Sequence, residues 1–499
     1  MFIAAFGVRS WSPMSKETSG VLIVGGGPVG LATAVMLRRR GWGNITVVEK
    51  RPQSFDSERS YMYLLEGRGQ RLTDLLGLTP EMAKVGVPIK EFTNLTYVLP
   101  TGKTRVFQFP WAAVSSQEKF YLPRQEMVNV LMGAIEQMKI PILFDCSADS
   151  IIIDHAANAV HVRCLQRTES GEKVISFTPR VIIGCDGYQS SIRDFLVNSG
   201  LPDCAKFSPK TWQADSGKLR YKILRISGQF PLPSETGDFH QRNASVPSRG
   251  YVFVGVNGDS KTRIRLGLLP VRSASYRTAN VICDENHVIW RMDSKDEVKE
   301  FLSQSLPQMN PITDYFSDLE IARFANIKPG KFPMPSSVSK CQLQVANACT
   351  FLLAGDAVHS FPPDTGQGIN SGFLDVHHLY EALEETSDDF VEAAKIYERV
   401  VIPESKALAE IVSYASTSQY GIAPVKRFFN LLNFKLRDAL SKLLPGVFSQ
   451  AAFYLIQNPS LTYSEINRLA KRTTRRILAI PIFIWLIAFI TRKALQLAA

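Results

Sequence analysis

Three acidic residues stand where apolar runs end, each with glycine nearby. Glu49 follows residues 45–48 (ITVV), Asp186 closes 181–186 (VIIGCD) ahead of Gly187, and Asp356 closes 350–356 (TFLLAGD). A carboxylate at the end of a buried strand can accept hydrogen bonds from a sugar hydroxyl. The glycines that make this specific come first in the chain, in residues 21–37 (VLIVGGGPVGLATAVML), at Gly25, Gly27 and Gly30. Gly25 permits a tight turn, Gly27 lets a pyrophosphate approach the backbone, and Gly30 lets helix and strand pack closely. The helix N-terminus that follows offers free N–H groups and the positive end of its dipole. Glu49 comes nineteen residues after Gly30, placed to accept from an adenosine ribose. A GxGxxG between a strand and a helix, with an acid after the next strand, predicts a bound dinucleotide.

The third acid sits in the densest motif, residues 350–372 (TFLLAGDAVHSFPPDTGQGINSG). Gly366, Gly368 and the start of the next helix can bring backbone N–H groups to a planar ring or an oxyanion. His359 reads as a packed, hydrogen-bonded loop residue, and with Asp356 it lacks a third partner at metal-ligand spacing, so no metal is expected. No convincing Ser–His–Asp set is present.

Around these motifs the chain must supply a large scaffold. Its 499 residues, 45% hydrophobic and 10% aromatic, suit a folded protein of two or three domains. The net charge of +11 is concentrated at the end, where residues 423–499 hold twelve basic residues against two acidic ones. The remainder is near neutral, which argues against nucleic-acid binding. Seven cysteines form no CxxC pair; neither a disulfide framework nor a zinc site follows, and a reducing compartment is expected. Residues 1–19 read as a ragged terminus with only a faint likeness to a transit peptide.

The scaffold divides by pattern. Residues 20–204 and 340–400 form the dinucleotide-binding domain, 205–339 an inserted antiparallel sheet on the substrate side, and 401–470 a helical region. Residues 92–109 alternate around Pro100-Thr101-Gly102 as a β-hairpin that adds to the substrate side. Fourteen apolar residues, 477–490, lie between Arg476 and Arg492. Although ~21 Å of helix is short of the ~30 Å hydrocarbon core, snorkelling basic flanks make 471–495 an expected membrane anchor, spanning or monotopic.

In order and spacing these motifs closely resemble the class A flavoprotein monooxygenases, and within them the kynurenine monooxygenase family. The likeness spans about residues 20–400. Arg59-Ser60, Arg68-Gly69, Arg124, the run from Gly366 to Asp375, Ile402-Pro403 and Leu444-Pro445 with Phe448 all match in order. The resemblance implies an α/β fold: a Rossmann-like FAD-binding domain of the GR2 type, like para-hydroxybenzoate hydroxylase, with an inserted antiparallel sheet, a C-terminal helical region and a membrane anchor. It implies FAD held by Gly25, Gly27, Gly30, Glu49, Arg51, Arg124, Ser191, Asp356, Gly368, Ile369 and Asn370, with Asp186 shaping the site. NADH or NADPH would reduce the flavin, and O₂ would form a C4a-hydroperoxyflavin that oxygenates a small molecule. It also implies an intracellular membrane location, the mitochondrial outer membrane by analogy.

One departure bears on the substrate. The kynurenine enzymes hold the amino-acid carboxylate with an Arg and a Tyr on the hairpin and an Asn and a Tyr further on. Here those places fall on Phe92, Phe109, Ala415 and about Ala452, with Tyr414 and Tyr454 nearby as pocket residues. A desolvated carboxylate deprived of such partners loses several kcal/mol, so a less polar aromatic or polyunsaturated substrate is expected. The alternatives are a reductase or desaturase of the same fold, kynurenine hydroxylation itself, and a flavin-binding membrane protein without turnover. A flavin halogenase would carry a Trp-x-Trp-x-Ile-Pro signature, which is missing.

Overall fold

The computed structural model describes residues 20–53, 62–89, 92–110, 118–233, 242–256, 258–259, 261–272, 276–345, 348–415 and 424–498. The N-terminal nineteen residues and the Arg59-Ser60 pair lie outside them. At the centre is a six-stranded sheet in the order Gln342–Val345, Cys349–Leu353, Val181–Gly184, Val21–Val24, Ile45–Val48, Ile142–Leu143. All pairings are parallel except the edge pair Gln342–Val345 with Cys349–Leu353. Val21–Val24, Val181–Gly184 and Cys349–Leu353 are buried at every position, as a parallel sheet covered on both faces requires. Adjacent parallel strands end on one side, so the chain segments carrying Glu49, Asp186 and Asp356 emerge together there. A meander of Cys146–Asp154, Ala159–Thr168 and Gly171–Phe177 adds a small antiparallel sheet.

The substrate-side sheet is larger than residues 205–339 alone. Its seven strands run Gly330–Lys331, Leu219–Ile226, Arg277–Asp284, Arg265–Leu268, Gly250–Val254, Phe92–Val98, Thr104–Pro110. The predicted hairpin thus forms one edge. It joins in parallel, Gly250 opposite Leu95, while the strands of the insert pair antiparallel with one another, as expected. Phe92–Val98 comes from a distant part of the chain, so no tight turn dictates its direction. The hairpin closes where Gly102 adopts φ +81° and donates to Leu99 O. Each of the two large sheets has its own apolar core. All seven cysteines are free thiols, six of them buried.

The Phe390–Ala415 helix runs across the expected boundary at residue 400 and carries the C-terminal region into the body. There Leu408, Ile411, Val412, Tyr463 and Ile466 form a third core. The final helix, Tyr463–Ala498, is continuous over 36 residues with Pro481 inside it. The expected transmembrane anchor needs correction: among the described residues no helix is long and apolar enough to cross a membrane. The apolar run is short, and its basic approach is engaged with protein. Arg476 donates to Val447 O, and Ser449 N donates to Thr473 Oγ1 at 2.9 Å. Arg437 donates to Thr474 Oγ1 at 2.5 Å.

Candidate functional site

The strand–turn–helix at residues 21–39 is built by its glycines in two ways. Gly25 has φ +110°, and a Cβ there would lie 2.3 Å from Cys185 O. A Cβ on Gly30 would lie 2.0 Å from Gly25 O, so the helix can start where it does only if residue 30 is glycine. Gly27, by contrast, faces open space with nothing within 4 Å. It precedes a helix, Pro28–Arg39, whose N-terminus has no side-chain cap and no acid in its first turn. Uncapped N–H groups beside open space form a receptor for phosphate oxygens. Glu49 is held in place at the next strand end: its Oε2 accepts from Gly26 N at 2.7 Å and its Oε1 from Arg51 N at 3.0 Å. Arg51 itself is exposed.

Asp186 and Ser191 bind each other. Asp186 Oδ2 accepts from Ser191 N at 2.6 Å, Ser191 Oγ at 2.8 Å and Ile192 N at 3.2 Å, capping the Ser191–Asn198 helix. Its other oxygen, Oδ1, is buried with no hydrogen-bond partner, an acceptor left over for a ligand hydroxyl. Asp356 stays accessible to solvent between the buried residues Gly355 and Ala357. Desolvation there pushes its pKa up to about 6, opposed by His359 and reinforced by Asp375.

Asp375 is the brace of this acid loop. Its Oδ2 accepts from Gly355 N and from His359 Nε2, both at 2.8 Å. One carboxylate oxygen therefore ties the residues on either side of Asp356 to the Gly368–Glu385 helix. Burial opposes a charge on His359, but the charge and hydrogen bond of Asp375 outweigh it, aided by Asp356, and the imidazole pKa is raised. His359 stacks on Phe361, ring centroids 5.1 Å apart. It is a packed loop histidine, as its setting in the sequence suggested.

The glycine loop ends the cradle. Gly366 takes φ +65°, and Gly368, with open space around it, starts a helix whose N-terminus has no side-chain cap. Ile369 is buried. Asn370 is buried too, but its side chain is consumed internally: Oδ1 accepts from Glu66 N at 3.0 Å, and Nδ2 donates to Leu64 O and Gly366 O. What Asn370 can offer a ligand is its place at the helix N-terminus. Gly69 lies against this amide, where a Cβ would stand 2.6 Å from Asn370 Oδ1. Arg124 begins the Arg124–Gln137 helix, partly buried.

Behind the loop lies a clamp that pattern reasoning marked only as matching residues. Arg68 is 1% exposed and donates to Ile456 O, Asn458 O, Leu461 O and Glu66 Oε1. Its guanidinium lies 4.6 Å from the centre of the Tyr463 ring, and Tyr463 Oη donates to Gln367 Oε1 at 2.7 Å. The C-terminal segment is thus fastened to the residue preceding Gly368. Arg68, Tyr463 and Asp375 were missed as roles because their partners are remote in sequence. The usable signal was a charged residue inside an otherwise apolar or glycine-rich motif.

The pocket residues read from the resemblance fall into distinct settings. Phe92 and Phe109 sit on paired strands of the hairpin, Thr93 opposite Phe109. The side chains of Phe92, Phe109 and Ala415 lie outside the described residues. Tyr414 donates to Asn467 Oδ1 at 3.2 Å, drawn to the final helix, and Tyr454 packs edge-on against Phe434 and Phe453.

An open helix N-terminus at Gly27, a fixed acceptor at Glu49, a spare oxygen on Asp186, an accessible Asp356 and an open Gly368 suit an adenine dinucleotide that carries a second ring system. The comparisons agree. Residues 18–202 and 344–389 match the FAD binding domain family. Kynurenine 3-monooxygenase of Dictyostelium discoideum is 23% identical, over 74% of this chain and 70% of its own. That of Caenorhabditis elegans is 22% identical, over 91% and 92%. Among solved structures, 2-methyl-3-hydroxypyridine-5-carboxylic acid oxygenase superposes with a TM-score of 0.56 at 16% identity, covering 87% of this chain and 99% of that one. By these matches the chain carries an FAD-binding domain and is an FAD-dependent oxidoreductase, similar to the class A flavoprotein monooxygenases and among them to the kynurenine 3-monooxygenases.

Proposed function

We propose that this enzyme uses a reduced nicotinamide nucleotide and O₂ to insert one oxygen atom into a small, low-polarity, electron-rich substrate, aromatic or polyunsaturated. The observation that carries the substrate class is the pair Phe92 and Phe109 on adjacent hairpin strands, where the resemblance calls for carboxylate-binding Arg and Tyr. Bound FAD would supply the redox chemistry and the oxygen activation. The chain's part is to hold and shield it. Glu49 would accept from the adenosine ribose, and Gly27 with the following helix N-terminus would take the pyrophosphate. Arg51 and Arg124 would add positive charge, and Asp186 and Asp356 would accept from the remaining hydroxyls. Gly368, Ile369 and Asn370 would direct backbone N–H groups to the ring. The clamp of Arg68 and Tyr463 would steady that loop, and shielding from water is a condition for coupling reduction to oxygen transfer.

The test is a purified yellow protein given NADH or NADPH, with and without O₂, and then a metabolite extract under ¹⁸O₂ analysed by mass spectrometry. The expected result is one ¹⁸O atom in an apolar product. Robust hydroxylation of kynurenine would overturn the substrate class. Substrate turnover that proceeds without O₂ would identify a reductase or desaturase instead.

A further inference from the structure

Further along the Gly368–Glu385 helix, three side chains converge that the flavin site does not use. His378 Nδ1 lies 2.9 Å from Glu381 Oε2 and His377 Nδ1 lies 3.5 Å from the same oxygen. One donor atom from each residue falls within 4.8 Å of the others. Both imidazoles are largely enclosed, each side chain 18% exposed, their rings stand edge to face, and the Glu381 side chain is 57% exposed at the mouth. His377 Nδ1 is buried and has no hydrogen-bond partner. A buried nitrogen lone pair facing a carboxylate at 3.5 Å gains nothing from that neighbour unless a proton or a cation lies between them.

We propose that His377, His378 and Glu381 bind one first-row divalent cation of borderline character, with zinc as the representative. Ligand bonds of about 2.0–2.2 Å in tetrahedral geometry place donor atoms about 3.3–3.5 Å apart. The two histidine–glutamate distances, 2.9 and 3.5 Å, bracket that spacing and all three donors fall within 4.8 Å, so binding asks the two imidazoles to draw together by rotamer adjustment. Two nitrogens and one oxygen leave at least one position for water, and the mixed donor set favours zinc, nickel or copper over magnesium or calcium. Arg71 opposes the cation. It sits within electrostatic reach of both His377 and Glu381 while donating to Pro459 O at 2.7 Å. Nine residues of helix separate Gly368 from His377, ~14 Å along the axis, so the cation site is distinct from the flavin cradle.

The experiment uses the FAD-loaded full chain, stripped with chelator and titrated with Zn²⁺ by calorimetry and with Co²⁺ by visible absorption beyond the flavin bands. One cation per chain is expected, with nitrogen-ligated Co²⁺ bands. The H377A/H378A double variant should lose ~100-fold or more in affinity and E381Q ~10-fold. R71A should bind several-fold more tightly, a gain that unfolding cannot mimic; the flavin spectrum reports that each variant is intact. Absence of stoichiometric Zn²⁺ binding, or full affinity in an intact double variant, overturns the proposal.

Discussion

The flavin cradle and the C-terminal clamp are both built around charged groups, but they treat them in opposite ways. Arg68, in the clamp, is spent entirely on protein, with three main-chain carbonyls, Glu66 and the Tyr463 ring around it. In the cradle, Asp356 stands accessible and desolvated, and Asp186 keeps one buried oxygen without a partner. Buried polar groups are normally satisfied; the clamp leaves Glu66 Oε2 unpartnered as well, so it is the accessible Asp356 that sets the cradle apart as a place for a ligand to arrive. The clamp ties the C-terminal segment to the loop ahead of Gly368, whereas the cradle is built for the stability of the complex.

The largest effect should come from breaking the cradle's backbone geometry. A methyl group at position 30 meets a backbone carbonyl at 2.0 Å, and at position 27 it meets nothing. G30A should therefore cost ~3 kcal/mol or more and yield little soluble, flavin-bearing protein. G27A should melt within ~1 kcal/mol of the parent but bind FAD more weakly. Thermal melts and FAD content after purification measure both. If the two variants were equally stable, the division of labour among the glycines would be wrong.

Next in size is the clamp. R68M removes the cation hydrogen-bonded to buried Glu66, leaving Lys119 within electrostatic reach, and strips three carbonyls of their donor, a change worth about 3–5 kcal/mol. Limited proteolysis should cut faster within residues 444–462, while the cradle retains its yellow colour at low temperature. Simultaneous loss of FAD and of proteolytic resistance would mean that the two regions are one cooperative unit.

The two regions also differ in how far they could be read from sequence. The central sheet, the helix starts at Pro28 and near Ser190, the hairpin turn at Gly102 and the glycine loop were legible because each depends on neighbours within a few residues. Glu49, Asp186 and Asp356 were legible as strand-end acids for the same reason. Arg68 was not, because its partners at 456–461 are nearly 400 residues away and are backbone atoms, which carry no signature. Asp375 was visible only as part of a motif; that it braces the two sides of Asp356 depends on how a helix lies against a loop. The final helix misled for a physical reason. A run of apolar residues between basic ends looks like an anchor, but composition does not say whether the basic residues face lipid or, like Arg476, a carbonyl of the same chain.

The smallest expected stability change isolates the cradle's bias toward its ligand. In the FAD-free protein, desolvation chiefly pushes the Asp356 pKa up to about 6 from its ordinary 3.8. Between those two values the folded chain holds a proton that the unfolded chain has released, so stability falls as pH rises through that window, and the deficit is complete above about pH 6. D356N lacks the ionisable group. The FAD-free variant should match the parent below about pH 4 and melt higher than it at pH 7.5, while its FAD affinity drops by roughly 1.5–3 kcal/mol, ten- to a hundredfold. His359, whose raised pKa also lends stability at low pH that is lost as pH rises, gives the same sign. The difference between variant and parent across pH, rather than either profile alone, therefore assigns the effect to Asp356. A variant less stable than the parent at every pH would make Asp356 a structural residue like Arg68, and the contrast between cradle and clamp would fail at its most exposed point.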